Sequence, residues 1–328
     1  MDTLMTAQVG GKHDMHALDA MGSSASTGEF SKVLAGGILL SALVACACGG
    51  SSGTVGSGSR SAPSGSETST VLGVDATGIE EDTGPDAAEE PEDSRPPPLT
   101  HPEPFAYLPV EGFGDAVVSL PIATRDRRPI VIAAHGNYDT PEWQCFIWRD
   151  IVGDAAFVLC PRGVPRRDSP SPNDLRYEYV SSQRLEKEID AGLRSLGVAF
   201  ADYVDAGAVL FTGFSQGAIM GAAMMARQPD RYPRGVLIEG GQKQWYASTA
   251  RAFANGGGQR VLFACGQWDC NTQSTEASRV LGRYGVGVRV VFGKGEGHSY
   301  GGAVAVEIAR EFGWVVEGDE RWAGWGAE

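Results

Sequence analysis

The chain has no concentration of basic residues. Its 27 Lys and Arg face 41 Asp and Glu, for a net charge of −14 over 328 residues. A nucleic-acid surface needs a positive stripe, so that class of partner is excluded. The longest apolar stretch, residues 33–45, falls short of the ~20 residues that cross a bilayer as a helix. No His/Cys/Asp/Glu cluster has the spacing of a metal site, and no glycine-rich loop ends in Lys-Ser/Thr to cradle a phosphate. No internal repeat appears. Histidine is scarce, at five residues (His13, His16, His101, His135 and His298), and this scarcity simplifies the search for a catalytic base.

The acidity is unevenly distributed. Residues 75–103 hold ten acids against Arg95, whereas residues 104–328 carry 23 basic and 26 acidic side chains. The charge therefore belongs to a tail, and the remainder is close to neutral. Residues 47–103 begin Gly/Ser-rich, turn acidic and end in Arg95-Pro96-Pro97-Pro98. Such composition buries little apolar area, so a disordered linker is expected. Three segments follow from this: a leader over 1–45, a linker over 46–103, and one folded domain over 104–328.

Within the leader, Lys32 precedes the apolar run, which has the length of a signal-peptide core. Met15 or Met21 would serve as an alternative start. The run closes on Leu43-Val44-Ala45-Cys46, which resembles the lipobox of bacterial lipoproteins. That resemblance implies acylation at Cys46, an N-terminal lipid anchor, and residence in the cell envelope; an ordinary secretory signal would instead release the protein. The domain's four cysteines, Cys145, Cys160, Cys265 and Cys270, are an even number, as suits an oxidising compartment. Proximity at strand ends favours the pairs Cys145–Cys160 and Cys265–Cys270 among three possible pairings; the other reading is four buried thiols.

From residue 104 the chain alternates short apolar runs with helical patterns. Strands are expected at 130–134, 156–159, 208–211, 236–238, 260–264 and 288–292, with an antiparallel edge strand near 117–120. Helices are expected near 141–151, 182–203, 216–228, 244–254, 272–284 and 301–312. This alternation predicts an α/β fold with a mostly parallel, doubly wound sheet. Ligands in such sheets bind beyond the carboxyl ends of the strands.

Ser215 lies just beyond one such end, in Gly213-Phe214-Ser215-Gln216-Gly217. Glycines flank the serine where a sharp strand-to-helix turn leaves no space for a Cβ, and the turn lifts the hydroxyl above the sheet. A serine hydroxyl becomes a nucleophile only with a base in reach and a third group to orient that base. His298 follows the last strand in a Gly-rich loop and is the expected base; His135 precedes the nucleophile and reads as a buried loop residue. For the acid, the order Ser…Asp/Glu…His leaves Asp230, Glu239, Asp269, Glu276 and Glu296. Asp269, a short turn beyond strand 260–264, is the first choice, and Glu239 at the end of strand 236–238 the second. An oxyanion hole needs two N–H groups; Gln216 and Asn137, the latter in His135-Gly136-Asn137-Tyr138, are the expected donors, with Gly136 beside them.

His135-Gly136, Gly213-Phe214-Ser215-Gln216-Gly217, Asp269 and Gly297-His298 together resemble the α/β-hydrolase fold over about residues 105–314. The serine motif resembles the carboxylesterase/phospholipase branch, and the exported, cysteine-bearing domain is similar to polyhydroxybutyrate-depolymerase and feruloyl-esterase relatives. Ala218 stands where the carboxylesterase branch usually has a second glycine. The resemblance implies ester hydrolysis through an acyl-serine, on a small-molecule ester, without metal or cofactor. The alternatives are a binding protein on a retired hydrolase scaffold, or a peptidase or thioesterase. Only about twenty residues separate strands 236–238 and 260–264, leaving no room for a lid domain. Residues 161–182 read as a long loop over the pocket, and Trp143, Trp245 and Trp268 as its apolar wall.

Overall fold

The computed structural model describes residues 94–323 and 325–326 of the 328. The leader, its Cys46 and the linker as far as residue 93 lie outside the described residues. Among the described residues, no helix is long and apolar enough to cross a membrane.

The core is an eight-stranded sheet. In chain order its strands are β1 (Phe105–Leu108), β2 (Ala116–Ser119), β3 (Ile130–Ala134), β4 (Phe157–Cys160), β7 (Leu210–Phe214), β8 (Arg234–Ile238), β9 (Arg260–Cys265) and β10 (Gly287–Phe292). A two-stranded ribbon, β5 (Val164–Pro165) with β6 (Tyr177–Glu178), stands apart. The sheet order is β1-β2-β4-β3-β7-β8-β9-β10. β1 and β2 are antiparallel, as are β2 and β4, and all other pairs are parallel. With its crossover helices this is the α/β-hydrolase fold.

The helices are α1 (Pro141–Val152), α2 (Ser182–Ala199), α3 (Gln216–Arg227), α4 (Ala247–Asn255), α5 (Trp268–Gly282) and α6 (Gly302–Val316). They divide between the two faces because strand side chains alternate. Ile130, Ile132 and Ala134 of β3 join Leu185, Ile189, Ala222, Phe253 and Leu281 on the α2–α5 face. Val131 and Ala133 join Trp148, Ile308 and Phe312 on the α1/α6 face. Buried on both faces, the central strands read as unbroken apolar runs. α1 starts at a cue visible in the sequence: Thr140 accepts from the Trp143 N–H, and Pro141 sits at the first position.

The domain begins before residue 104. Leu99 is buried, and its backbone exchanges hydrogen bonds with Thr124 and Ala123 at 2.8 Å. Arg125 Nε donates to the Pro96 carbonyl at 3.0 Å and the Tyr203 hydroxyl to that of Pro97 at 2.9 Å. A proline run favours an extended chain whose carbonyls are not used within the run, so the end of the expected linker docks as an acceptor strip. Cys145–Cys160 joins α1 to β4 with Cα atoms 6.0 Å apart, and Cys265–Cys270 joins the end of β9 to the first turn of α5 at 5.6 Å.

Candidate active site

Ser215 follows β7 with φ 50° and ψ −109°, a region that side chains with a Cβ rarely occupy. A Cβ on Gly213 would meet the Gly217 carbonyl carbon at 2.6 Å, and one on Gly217 would run into the Ala134 carbonyl of β3. One turn further on, a Cβ on Gly221 would run into the Phe211 ring. The flanking glycines are thus required by close backbone approach. α3 starts at Gln216, directly behind the hydroxyl, with its N-terminal dipole aimed there.

Ser215 Oγ lies 2.8 Å from His298 Nε2. The other ring nitrogen, Nδ1, lies 3.2 Å from Glu239 Oε2. An acceptor-only carboxylate there selects the Nδ1–H tautomer and leaves the Nε2 lone pair facing the serine. The His298 side chain is 47% exposed and that of Glu239 only 1%. Glu239 Oε1 accepts from the Gly266 N–H and from the Gln267 N–H at 2.9 Å. A buried carboxylate needs such donors, each charge-assisted bond contributing about 1.5–3 kcal/mol. The Phe214 ring supports the imidazole, with centroids 4.9 Å apart.

The carboxylate that meets the imidazole is therefore Glu239, and the expectation of Asp269 is corrected. α5 begins at Trp268, four residues before the predicted start. Asp269 consequently falls in the first helical turn, exposed, where an acid favours the positive end of the helix dipole. Glu239 has φ 51°, and this left-handed turn immediately after β8 directs it inward.

Across the serine, the 135–140 loop forms the other wall. The Gly136 N–H is taken by Asp139 Oδ2 at 3.4 Å. The Asn137 and Gln216 amides donate to no protein group among the described residues. The Asn137 side chain accepts from Arg166 Nη1 at 2.6 Å. Residues 161–180 are no loose excursion: the β5/β6 ribbon pairs with this wall, Tyr138 N–H donating to Tyr177 O at 3.0 Å and Tyr177 N–H to Asp139 O at 2.9 Å. Gln216 Oε1 takes the Tyr179 N–H at 2.8 Å, fastening the elbow to the same segment.

His135 is fully buried and stacked on Tyr179 at 4.4 Å. Its ring nitrogens face the carbonyls of Gly136 (2.7 Å) and Arg162 (2.9 Å). Burial lowers its pKa, against the pull of those carbonyls and of Asp139. Burial raises the Asp139 carboxyl, opposed by His135 and by the donors it accepts from.

The tryptophans separate. Trp143 is 45% exposed beneath the Arg176 guanidinium, 4.4 Å from its centroid. Trp268 is 61% exposed, packed on Phe292 at 4.6 Å. Trp245 is only 4% exposed and packs on Phe253 in the core. It is not a wall residue, because the short 3₁₀ turn Gln242–Gln244 brings it inward.

Glu239, Cys265 and Cys270 place ligand-type atoms within 4.8 Å of one another. The two sulfurs are bonded to each other, and a disulfide supplies no thiolate to a metal. Sequence reasoning ranked Glu239 second and did not single out Asp139, Arg166 or Tyr300. The signal for Glu239 was its place directly after a strand; the others carry no local signal.

No family model and no curated protein matches this chain. Among solved structures, it is similar to a carboxylesterase from Mesorhizobium loti at 19% identity, covering 64% of this chain and 99% of that one, TM-score 0.46. A Bacillus cereus carboxylesterase gives 17% identity, 61% and 93% coverage and a TM-score of 0.42. A Pyrococcus horikoshii acylaminoacyl peptidase gives 14% identity and a TM-score of 0.45; the match takes in 67% of this chain and only 41% of the peptidase.

Proposed function

We propose that this protein is a serine hydrolase that cleaves carboxylic esters through an acyl-serine. The observation that carries the reading is the continuous relay Ser215–His298–Glu239, with hydrogen-bond distances of 2.8 and 3.2 Å. As Oγ attacks the ester carbonyl, its proton passes to His298 Nε2. Glu239 holds the Nδ1–H and stabilises the imidazolium without taking a proton. The carbonyl oxygen, now anionic, is received by the amides of Asn137 and Gln216. His298 then returns the proton to the leaving alcohol. Water repeats the sequence on the acyl-serine, releasing the acid and restoring Ser215.

The connection from β8 to β9 holds only a short 3₁₀ turn and α4, which favours small or soluble esters over a lipid interface. We propose further that the chain is exported and anchored through Cys46. The lipobox-like leader supports this, as do two disulfides in one domain.

The test is hydrolysis of p-nitrophenyl acetate and butyrate, with labelling by a fluorophosphonate probe. Ser215→Ala should lower kcat by at least ~10³-fold and abolish labelling. Equal rates for wild type and variant would sink the reading.

A further inference from the structure

Tyr300 stands two residues beyond His298, and its hydroxyl donates to Asp139 Oδ1 at 3.2 Å. Asp139 belongs to the wall that presents Asn137. The same carboxylate takes the Thr140 N–H at 2.8 Å and the Gly136 N–H at 3.4 Å. The Tyr300 ring stands edge-on to Phe214 at 4.7 Å, the ring that also supports His298. A single side chain thus touches the elbow and the oxyanion wall while belonging to the histidine loop. We infer that Asp139 and Tyr300 form a latch between the histidine loop and the oxyanion wall, acting as positioning residues for the hydrolysis assigned above to Ser215, on which this inference rests.

Two arguments support it. By holding the Gly136 amide, Asp139 decides which N–H of the wall faces the serine, and leaves that of Asn137. Burial and the adjacent carboxylate push the Tyr300 pKa well up, so its hydroxyl stays protonated and donates. Among the described residues, this hydroxyl makes the side-chain hydrogen bond between the two loops, and the removal of one oxygen would cut it. Tyr232 makes a natural comparison, because its hydroxyl is buried but has no partner.

The experiment compares Tyr300→Phe, Asp139→Asn, their double variant and Tyr232→Phe in the full chain. It reads kcat and KM on p-nitrophenyl butyrate, the fluorophosphonate labelling rate, and Tm. Tyr300→Phe should lower kcat roughly tenfold with KM within about twofold, since a small misplacement of donors and base costs transition-state stabilisation more than substrate binding. The double variant should be no slower than its slower parent, as expected for two groups acting as one unit. Tyr232→Phe should keep the wild-type kcat. Tyr300→Phe carries the test alone if Asp139→Asn does not fold. A fall in Tm with kcat unchanged would overturn the latch, as would rate losses that multiply in the double variant. A wild type that neither turns over ester nor takes the probe would bring down the hydrolase reading and the latch together. A fully active wild type beside an equally active Tyr300→Phe brings down the latch only.

Discussion

The ends of β8 and β9 lie side by side on the same edge of the sheet, Ile238 opposite Ala264. Each is followed within a few residues by a carboxylate. After β8, Glu239 turns at once into a left-handed conformation, is buried, and is met by two N–H groups and an imidazole. After β9 the chain supplies those two N–H groups and enters a helix, leaving Asp269 exposed. One strand end thus contributes the charge and its neighbour the cradle. Position beyond a strand does not make a carboxylate an orienting acid; the donors that allow it to be buried do.

The sharpest way to break this comparison is Glu239→Gln. It keeps the shape but can present an amide to His298 Nδ1, so kcat should fall by roughly 10²–10⁴. Retained activity would return the role to another acid. Gly266→Ala comes next. Its Cβ would run into the Gly297 carbonyl beside His298, forcing cradle and base apart, and a kcat loss of about 10–100-fold is expected. Third is the staple around the cradle. Cys265→Ser with Cys270→Ser should cost about 2 kcal/mol in urea unfolding and lower kcat several-fold, because it loosens the Gly266 and Gln267 amides. Cys145→Ser with Cys160→Ser, which opens a longer loop, should cost about 3 kcal/mol yet leave kcat of the folded protein unchanged. An equal effect of both pairs on kcat would show that the cradle is not special. The smallest effect belongs to Asp269→Asn, whose kcat should stay within about twofold of wild type, as for most exposed substitutions away from a site.

Much of the scaffold was legible because buried parallel strands are unbroken apolar runs, and 130–134 and 260–264 differ from the observed strands by a residue at most. The motif around Ser215 carries its own explanation, since glycine is required wherever backbone crowds the turn. The start of α5 was missed for a physical reason: its N-cap is Gln267, which makes no side-chain capping bond, so the usual Ser/Thr/Asp cue is absent. The inward turn at Glu239 depends on a positive φ at a residue that is not glycine, and nothing in the local sequence announces it. Tyr138, Ser215 and Glu239 all adopt such angles, in keeping with the tendency of backbone strain to gather where chemistry is done. The bond between Tyr300 and Asp139 spans 161 residues and leaves no periodic trace. The two-residue ribbon β5/β6 was too short to register as strands.

The helix behind the nucleophile is seated on glycines: at 213 and 217 backbone lies against backbone, and at 221 the Phe211 ring takes the place a side chain would need. A helix seated in this way cannot be re-aimed by exchanging one side chain for another. Adaptation of this scaffold to a new molecule must then proceed away from that seat, through exposed side chains such as Trp143 and Trp268, while the serine's own footing remains intolerant of change. A saturation library read by probe labelling would show positions 213, 217 and 221 as intolerant of every side chain, beside tolerance at the exposed Ile219 of α3.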